Sequence, residues 1–336
     1  MANLSPVQYV TTLDGFALAY TVSGAGPPLI YVPSHMNHLL LTWQWPYLRP
    51  WLERLEERFT LVRYDSRGMG LSTRGLPTDH SFEAYQVDLE TVREAVQVAQ
   101  FVLCGAGTGS PTALAYAARN PDRVSALIVW GGGVRSAGEL LFRDLPELDW
   151  DVFLQSAARS NISDVPGIVD LLKQCVSQQD WLRAVKASSD DLEATLSSLR
   201  VPTLVLHPRE NLLMPLEKSI RLAQITDGQL VVIDGADSMG DAKQGMAAID
   251  AFLKQLPRGE AKSSSNVVIG DGLDVLSPRQ IEVLRLVVSG MTTREIADKL
   301  VLSERTVERH IADVYAKIGA RNRAEAIVFA LNRLHE

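Results

Sequence analysis

Residues 103–132 read LCGAGTGSPTALAYAARNPDRVSALIVWGG, and this stretch decides how the larger part of the chain folds. The apolar run Phe101–Cys104 has strand length and runs into a turn carrying three glycines, Gly105, Gly107 and Gly109. Thr112–Arg119 then shows a helical pattern, and Ala126–Trp130 is again an apolar run of strand length. A helix between two strands returns the chain to the end of the sheet where it began, so the two strands run parallel.

The same alternation extends outward in both directions. Leu29–Val32, Thr60–Tyr64, Thr203–His207 and Gln229–Ile233 are predicted strands, and Asp88–Gln97 and Glu217–Gln224 are predicted helices. The expectation is an α/β fold with a mainly parallel sheet covered on both faces. Residues 257–271, PRGEAKSSSNVVIGD, have little to bury and much chain entropy to lose, so they read as a linker. Beyond it the pattern is helical only. With 336 residues the chain exceeds the usual size of one core, and the reading is two domains, 1–256 and 272–336.

Composition bounds the function classes. Hydrophobic residues at 46% and charged residues at 22% are those of a globular protein. A formal charge of -7 argues against a surface that coats nucleic acid throughout, but leaves room for a locally basic reader. Cys104 and Cys175 form neither a metal-ligand spacing nor a disulfide framework, so no metal and no cofactor are expected. The opening MANLSPVQYVTTLDG lacks a secretory pattern, and no apolar segment approaches the ~20 residues that span a bilayer. The expectation is a cytoplasmic protein without a membrane partner.

Helix starts punctuate the C-terminal segment. Ser277-Pro278 with Gln280, Thr292 with Glu295, and Asn322 with Glu325 have capping-box spacing, and Ser303 caps a helix predicted over Glu304–Ile318. Gly290 and Gly319 stand where helices end. The stretch from LSPRQIEVL through GMTTREIA and LSERTVERH to KIGARNRAEA resembles the LuxR-type helix-turn-helix domain along almost its whole length. That resemblance implies that Glu304–Ile318 lies in the DNA major groove, and that the last helix, Ala324–Leu334, pairs two copies on a two-fold related operator. Glu308, Arg309 and Ala312 would then approach base edges. Thr293, Arg294, Arg305, His310 and Lys317 would sit nearer the phosphates, and Thr306 is a further DNA-binding candidate. Family members usually carry a basic residue where this chain has Glu308. A carboxylate there accepts from a cytosine amino group but repels phosphate. RNA polymerase is a further partner that such a regulator implies.

Residues 7–256 resemble the α/β-hydrolase fold, through VQYVTTLDGFALAYTVSGAGPPLIYVP, YDSRGMGLS, the stretch quoted above and VPTLVLHPRENLLMPLEKS. The resemblance implies a helical cap at about 134–199 over the carboxyl end of the sheet, where the ligand pocket lies. It also implies a triad, which the residues do not supply. The nucleophile of a G-x-S-x-G turn is replaced by Gly107, the acid by Asn211 and the base by Ser238, while the His-Gly pair of the oxyanion loop is Pro33-Ser34. Glycine has no side chain to form an acyl-enzyme, so triad hydrolysis is not expected and no catalytic residue is assigned.

Substitutes are poor. Ser110 falls inside the following helix, Cys104 reads as a core thiol, and His35, His38 and His207 read as pocket-wall or packing residues. What remains is a pocket with Ser34, His35, Gly107, Thr108, Asn211 and Ser238 on its floor, and Trp130, Phe142, Trp150, Phe153 and Trp181 as an apolar roof. The expected function is therefore a ligand-responsive DNA-binding regulator whose hydrolase-like domain holds a small, mostly apolar effector. Two rival readings stay open. One is a DNA-binding protein with unconventional hydrolysis through Glu210 and a water. The other is a hydrolase-fold dimerisation scaffold without an effector.

Overall fold

The computed structural model describes residues 5–133, 145–161, 167–187, 192–211, 214–235, 239–256, 276–288, 291–300, 302–318 and 326. The chain divides into two compact units, Met1–Val267 and Val268–Glu336. The predicted linker 257–271 lies outside the described residues, as do the start of the cap and most of the segment beyond Ile318.

The first unit is built on an eight-stranded sheet: β1 Gln8–Thr11, β2 Ala17–Ser23, β3 Pro28–Val32, β4 Thr60–Tyr64, β5 Phe101–Ala106, β6 Val124–Trp130, β7 Thr203–Pro208 and β8 Gln229–Ile233. Its order is β1-β2-β4-β3-β5-β6-β7-β8. Every pairing from β4 onward is parallel, whereas β2 runs antiparallel to both β1 and β4. The six predicted strands are present, with bounds that differ by two residues at most. β1 and β2 escaped the sequence reading. They are joined by a tight turn in which Thr12 N–H donates to Phe16 O at 2.9 Å and Gly15 takes φ +91°, a backbone angle that glycine tolerates best.

Side-chain alternation puts the two faces of the sheet into separate cores. Leu29, Tyr31, Cys104, Ile128, Trp130 and Leu206 face one layer, where the helices Arg49–Arg58 and Ala242–Gln255 bring Trp51, Leu52, Met246 and Phe252. Ile30, Val32, Leu103, Leu127 and Val205 face the other, against the helices Glu83–Ala95, Ser110–Arg119 and Leu216–Ile225. The first of these three begins five residues before its predicted start. Between β6 and β7 lie the helices Leu145–Leu148, Trp150–Asn161, Ile168–Cys175, Gln178–Ala187 and Glu193–Leu196, in the place expected for the cap.

This cap is strapped to the loop after β4. Gly70 N–H donates to Cys175 O at 2.7 Å and Leu76 N–H to the buried Asp180 carboxylate at 2.7 Å, while Arg74 and Arg183 donate to carbonyls across the same seam. The loop is in turn organised by Asp65, which is fully buried and accepts from Asn37 Nδ2 at 2.6 Å, Leu71 N at 2.9 Å and Leu39 N at 3.2 Å.

The second unit contains the helices Pro278–Val288, Thr293–Leu300 and Glu304–Ile318 around Val283, Val287, Ile296, Ala297 and Val307. Their starts are capped as the sequence predicts. Ser277 N–H donates to Gln280 Oε1 at 3.0 Å, Thr292 N–H to Glu295 Oε2 at 2.7 Å, and Thr306 N–H to Ser303 Oγ at 3.2 Å. Among the described residues no helix is long and apolar enough to cross a membrane. The predicted Asn322 cap and the Gly290 and Gly319 stops lie outside the described residues.

Candidate functional site

The turn after β5 is bare at its apex. Ala106 is extended, Gly107 takes φ +49°, and a short 3-10 turn, Gly107–Gly109, leads into the helix Ser110–Arg119. Gly105 and Gly109 are demanded by contact: a Cβ on Gly105 would lie 2.6 Å from Ala113 Cβ, and one on Gly109 would lie 2.2 Å from Pro33 O. Gly107 is different. A Cβ there would meet nothing closer than Ser34 at 3.7 Å, an ordinary van der Waals distance. The turn therefore keeps the left-handed apex and the space of a side chain, with no side chain in it.

The loop after β3 closes over this turn. Ser34 Oγ and Thr108 Oγ1 share a hydrogen bond at 2.9 Å, and His35 N–H donates to Thr108 Oγ1 at 2.8 Å. Beside them runs a series of rings. His35 stacks on Tyr85 at 5.2 Å and meets the edge of Trp181 at 6.3 Å. Trp181 contacts Phe153 at 5.2 Å, Phe153 contacts Trp150 at 5.3 Å, and His80 meets Tyr85 edge-on at 4.8 Å. The predicted His35, Trp150, Phe153 and Trp181 are thus brought together. Tyr85 and His80 went unremarked in the sequence, because Tyr85 lies in the helical turn that the predicted start at Asp88 left out.

This ring series is polar yet uncharged. His35 Nδ1, His80 Nε2 and the Tyr85 hydroxyl are buried with no hydrogen-bond partner among the described residues. Burial lowers the His35 imidazole to about 4, and burial together with the Arg67 charge does the same to His80. Between pH 6.5 and 4 the unfolded chain thus binds a proton at position 35 that the folded chain refuses, so stability rises with pH across that window. The melting temperature of the first unit is expected to fall as pH drops from 7 to 5, and His35→Phe should flatten that fall in differential scanning fluorimetry. An unchanged slope would refute this role for His35.

Other predicted positions are placed less centrally. Trp130 belongs to the sheet and not to a roof: its ring packs on Trp51 at 3.9 Å and its indole N–H donates to Met239 O at 2.9 Å. Asn211 ties together the ends of β6 and β7, accepting from Met214 N–H at 3.0 Å and donating to Gly131 O at 3.4 Å. Ser238 and Phe142 lie outside the described residues. Ser110 is buried and donates to Gly105 O at 3.1 Å, and burial pushes the Cys104 thiol up to about 12, so neither offers a nucleophile. His207 pairs with Ser219 Oγ at 3.0 Å, Nδ1 of His38 accepts from Leu40 N–H at 3.3 Å, and Glu210 is exposed.

In the second unit, Arg294, Arg305, Glu308, Arg309, Ala312 and Lys317 are exposed, with Thr293, Thr306 and His310 half-buried. Two of these are engaged within the unit. The Thr306 hydroxyl shares a hydrogen bond with Ser303 Oγ at 2.8 Å, and Lys317 Nζ donates to Gln280 Oε1 at 2.9 Å. Contacts of either residue with DNA would have to compete with these bonds.

Comparison with known proteins agrees with both units. Residues 274–330 match the family described as "Bacterial regulatory proteins, luxR family", and residues 27–173 match the family described as "alpha/beta hydrolase fold". The chain therefore carries a LuxR-type helix-turn-helix DNA-binding domain behind a domain of the α/β-hydrolase fold. The Fimbriae Z protein of Escherichia coli strain K12 is 46% identical over 56 residues, which is 17% of this chain and 27% of that protein. Serine hydrolase BPHL of Mus musculus is 29% identical over 178 residues, covering 49% of this chain and 58% of that protein. The chain thus spans less than two thirds of either relative.

Two solved structures are similar in fold. A hydrolase from Pseudomonas aeruginosa PA01 has a TM-score of 0.63 at 18% identity, over 75% of this chain and 99% of the other. The enol-lactonase from Burkholderia xenovorans LB400 has a TM-score of 0.59 at 18% identity, over 74% of this chain and 100% of the other.

Proposed function

We propose that this protein is a cytoplasmic, ligand-responsive transcription regulator, in which the hydrolase-fold unit binds a small, mostly apolar molecule without consuming it. The observation that carries the reading is the apex at Gly107, which has the backbone turn and the space for a nucleophile but no side chain. Ser34, His35, Thr108, Asn211 and Ser238 would form the polar part of the pocket, with Trp150 and Trp181 on its apolar side. The neutral His35 and His80 favour an uncharged effector, since neither ring carries a charge to pair with a charged one. The functional unit would be a homodimer on a palindromic operator, with RNA polymerase as a further partner. The effector controls transcription only if it binds the DNA-competent and DNA-incompetent states with different affinity.

Native mass spectrometry of the purified full chain, followed by operator binding with and without each co-purified molecule, tests this reading. A shift in DNA affinity is expected. DNA binding that no co-purified molecule alters would overturn the sensor function and leave the DNA-binding domain untouched.

The hydrolase-fold relatives favour a second reading, residual hydrolysis. Turnover of a chromogenic ester that is lost in Glu210→Ala would support it. The exposure of Glu210 predicts no turnover above buffer. Gly107→Ser has room for its Cβ but must hold a left-handed φ of +49°, so it is expected to fold with some loss of stability and to remain inactive while Asn211 and Ser238 supply neither acid nor base.

A further inference from the structure

Glu304–Ile318 presents one uncommitted stripe. At about 100° per residue, Arg305, Glu308, Arg309 and Ala312 fall within an arc of roughly 100°, opposite the buried Val307 and Val314. All four are exposed, as is Ala316 further along the same side. Ala312 and Ala316 stand near the middle of the stripe, and their small side chains let the helix backbone approach a surface closely. Among the described residues, Arg305, Glu308 and Arg309 make no hydrogen bond or ion pair, although Arg305 and Glu308 are one turn apart. By contrast, Thr306 and Lys317, which flank the stripe, are held within the domain. The polar groups of this face are left for a partner.

The charge of the unit narrows what that partner can do with Glu308. Residues 272–336 hold ten Lys and Arg against nine Asp and Glu, so this unit has little surplus positive charge with which to mask a misplaced carboxylate on DNA. A carboxylate that faced the phosphates would weaken binding to every sequence alike. In the major groove it has one favourable kind of contact, an exocyclic amino group. Cytosine N4 and adenine N6 both supply one, but adenine sets its N7 lone pair beside the amino group, where an acceptor-only carboxylate is repelled. Cytosine places only a C–H there.

We infer that Glu308 is a specificity-determining residue of the DNA-binding surface, selecting a cytosine in each operator half-site by accepting from its N4 amino group. This rests on the reading of Glu304–Ile318 as the helix that enters the major groove, and it assigns that helix a base preference.

The test is selection from a random double-stranded DNA library by the full-length protein, run in parallel for the wild type, Glu308→Gln and Glu308→Lys. Glu308 is exposed and has no side-chain partner among the described residues, so the variants should melt with the wild type, and thermal unfolding checks this. The wild type is expected to enrich a cytosine at one position per half-site, and replacing that base in the selected site should weaken binding by roughly 5- to 100-fold. Glu308→Gln, which adds a donor for N7, is expected to move that position toward adenine. Glu308→Lys, a donor only, should move it toward guanine. Enrichment of one unchanged site by all three proteins overturns the inference while leaving DNA binding intact. No enrichment by the wild type overturns both.

Discussion

Asp88→Ala is expected to cost the hydrolase-fold unit about 3–5 kcal/mol, the loss typical of removing one partner from a buried ion pair. Asp88 is wholly buried and accepts from Arg67 Nε at 2.8 Å and from the Arg67 backbone N–H at 2.9 Å. The Arg67 side chain is 2% exposed and lies over the Phe16 ring at 4.4 Å. Its second partner, Asp14, is 51% exposed and too well screened by water to replace Asp88. Alanine at 88 thus strands a guanidinium that cannot reach solvent without opening the loop after β4.

The consequence reaches the site, because Tyr85 lies one turn before Asp88 on the same helix. All six tryptophans, at positions 43, 45, 51, 130, 150 and 181, belong to the first unit, so their fluorescence in urea reports that unit alone within the intact chain. A loss below about 1 kcal/mol would mean that Arg67 finds another partner. Arg67→Met with Asp88→Leu should recover much of the loss, because it removes both charges together.

Trp51→Ala is expected to be comparably damaging, about 3–5 kcal/mol, the range for deleting a large buried aromatic. The ring packs on Trp130 at 3.9 Å, and a Cβ on Gly245 would lie 1.8 Å from its Cη2 atom, so the helix Ala242–Gln255 is fitted around it. Its indole N–H donates to Gly240 O at 3.1 Å, next to the bond from Trp130 to Met239. The two indoles thus hold the backbone that follows Ser238, the position where the fold would carry its base. Trp51→Phe keeps most of the apolar contact and loses the hydrogen bond, so a smaller loss is expected, about 1–2 kcal/mol. Urea unfolding followed by far-UV circular dichroism ranks the three proteins. Equal losses for phenylalanine and alanine would show that the hydrogen bond, and not the packing, dominates.

How far the sequence reached depends on how local each signal is. The parallel strands were legible because each is a short apolar run bounded by turn residues, and the helix caps because Ser277, Thr292 and Ser303 act on backbone within three residues. Asp14-Gly15 marks a turn between β1 and β2, but β1 is a partly exposed edge strand and β2, buried at Leu18–Thr21, has its apolar run broken by Thr21 and Ser23, so neither reads as a clear strand. The place of Trp130 is hidden for a different reason. Strand residues alternate between faces, and only the partner on the face it chose, Trp51, shows that it belongs to the core.

By itself, then, the sequence determined the class of each unit and the glycine at the apex, since both follow from residue identity and short-range periodicity. Tertiary structure decided the rest. That Gly107 has room for a side chain while Gly105 and Gly109 do not depends on Ala113 in the following helix and on Pro33 in a distant loop. That His35 meets Tyr85 and Trp181 depends on a sheet loop, a helix and the cap arriving at one place, with burial then holding its imidazole neutral. On the DNA-binding unit, the fold engaged Thr306 and Lys317 and left Glu308 without a side-chain partner among the described residues, a sorting made by distances between residues that the linear order does not contain.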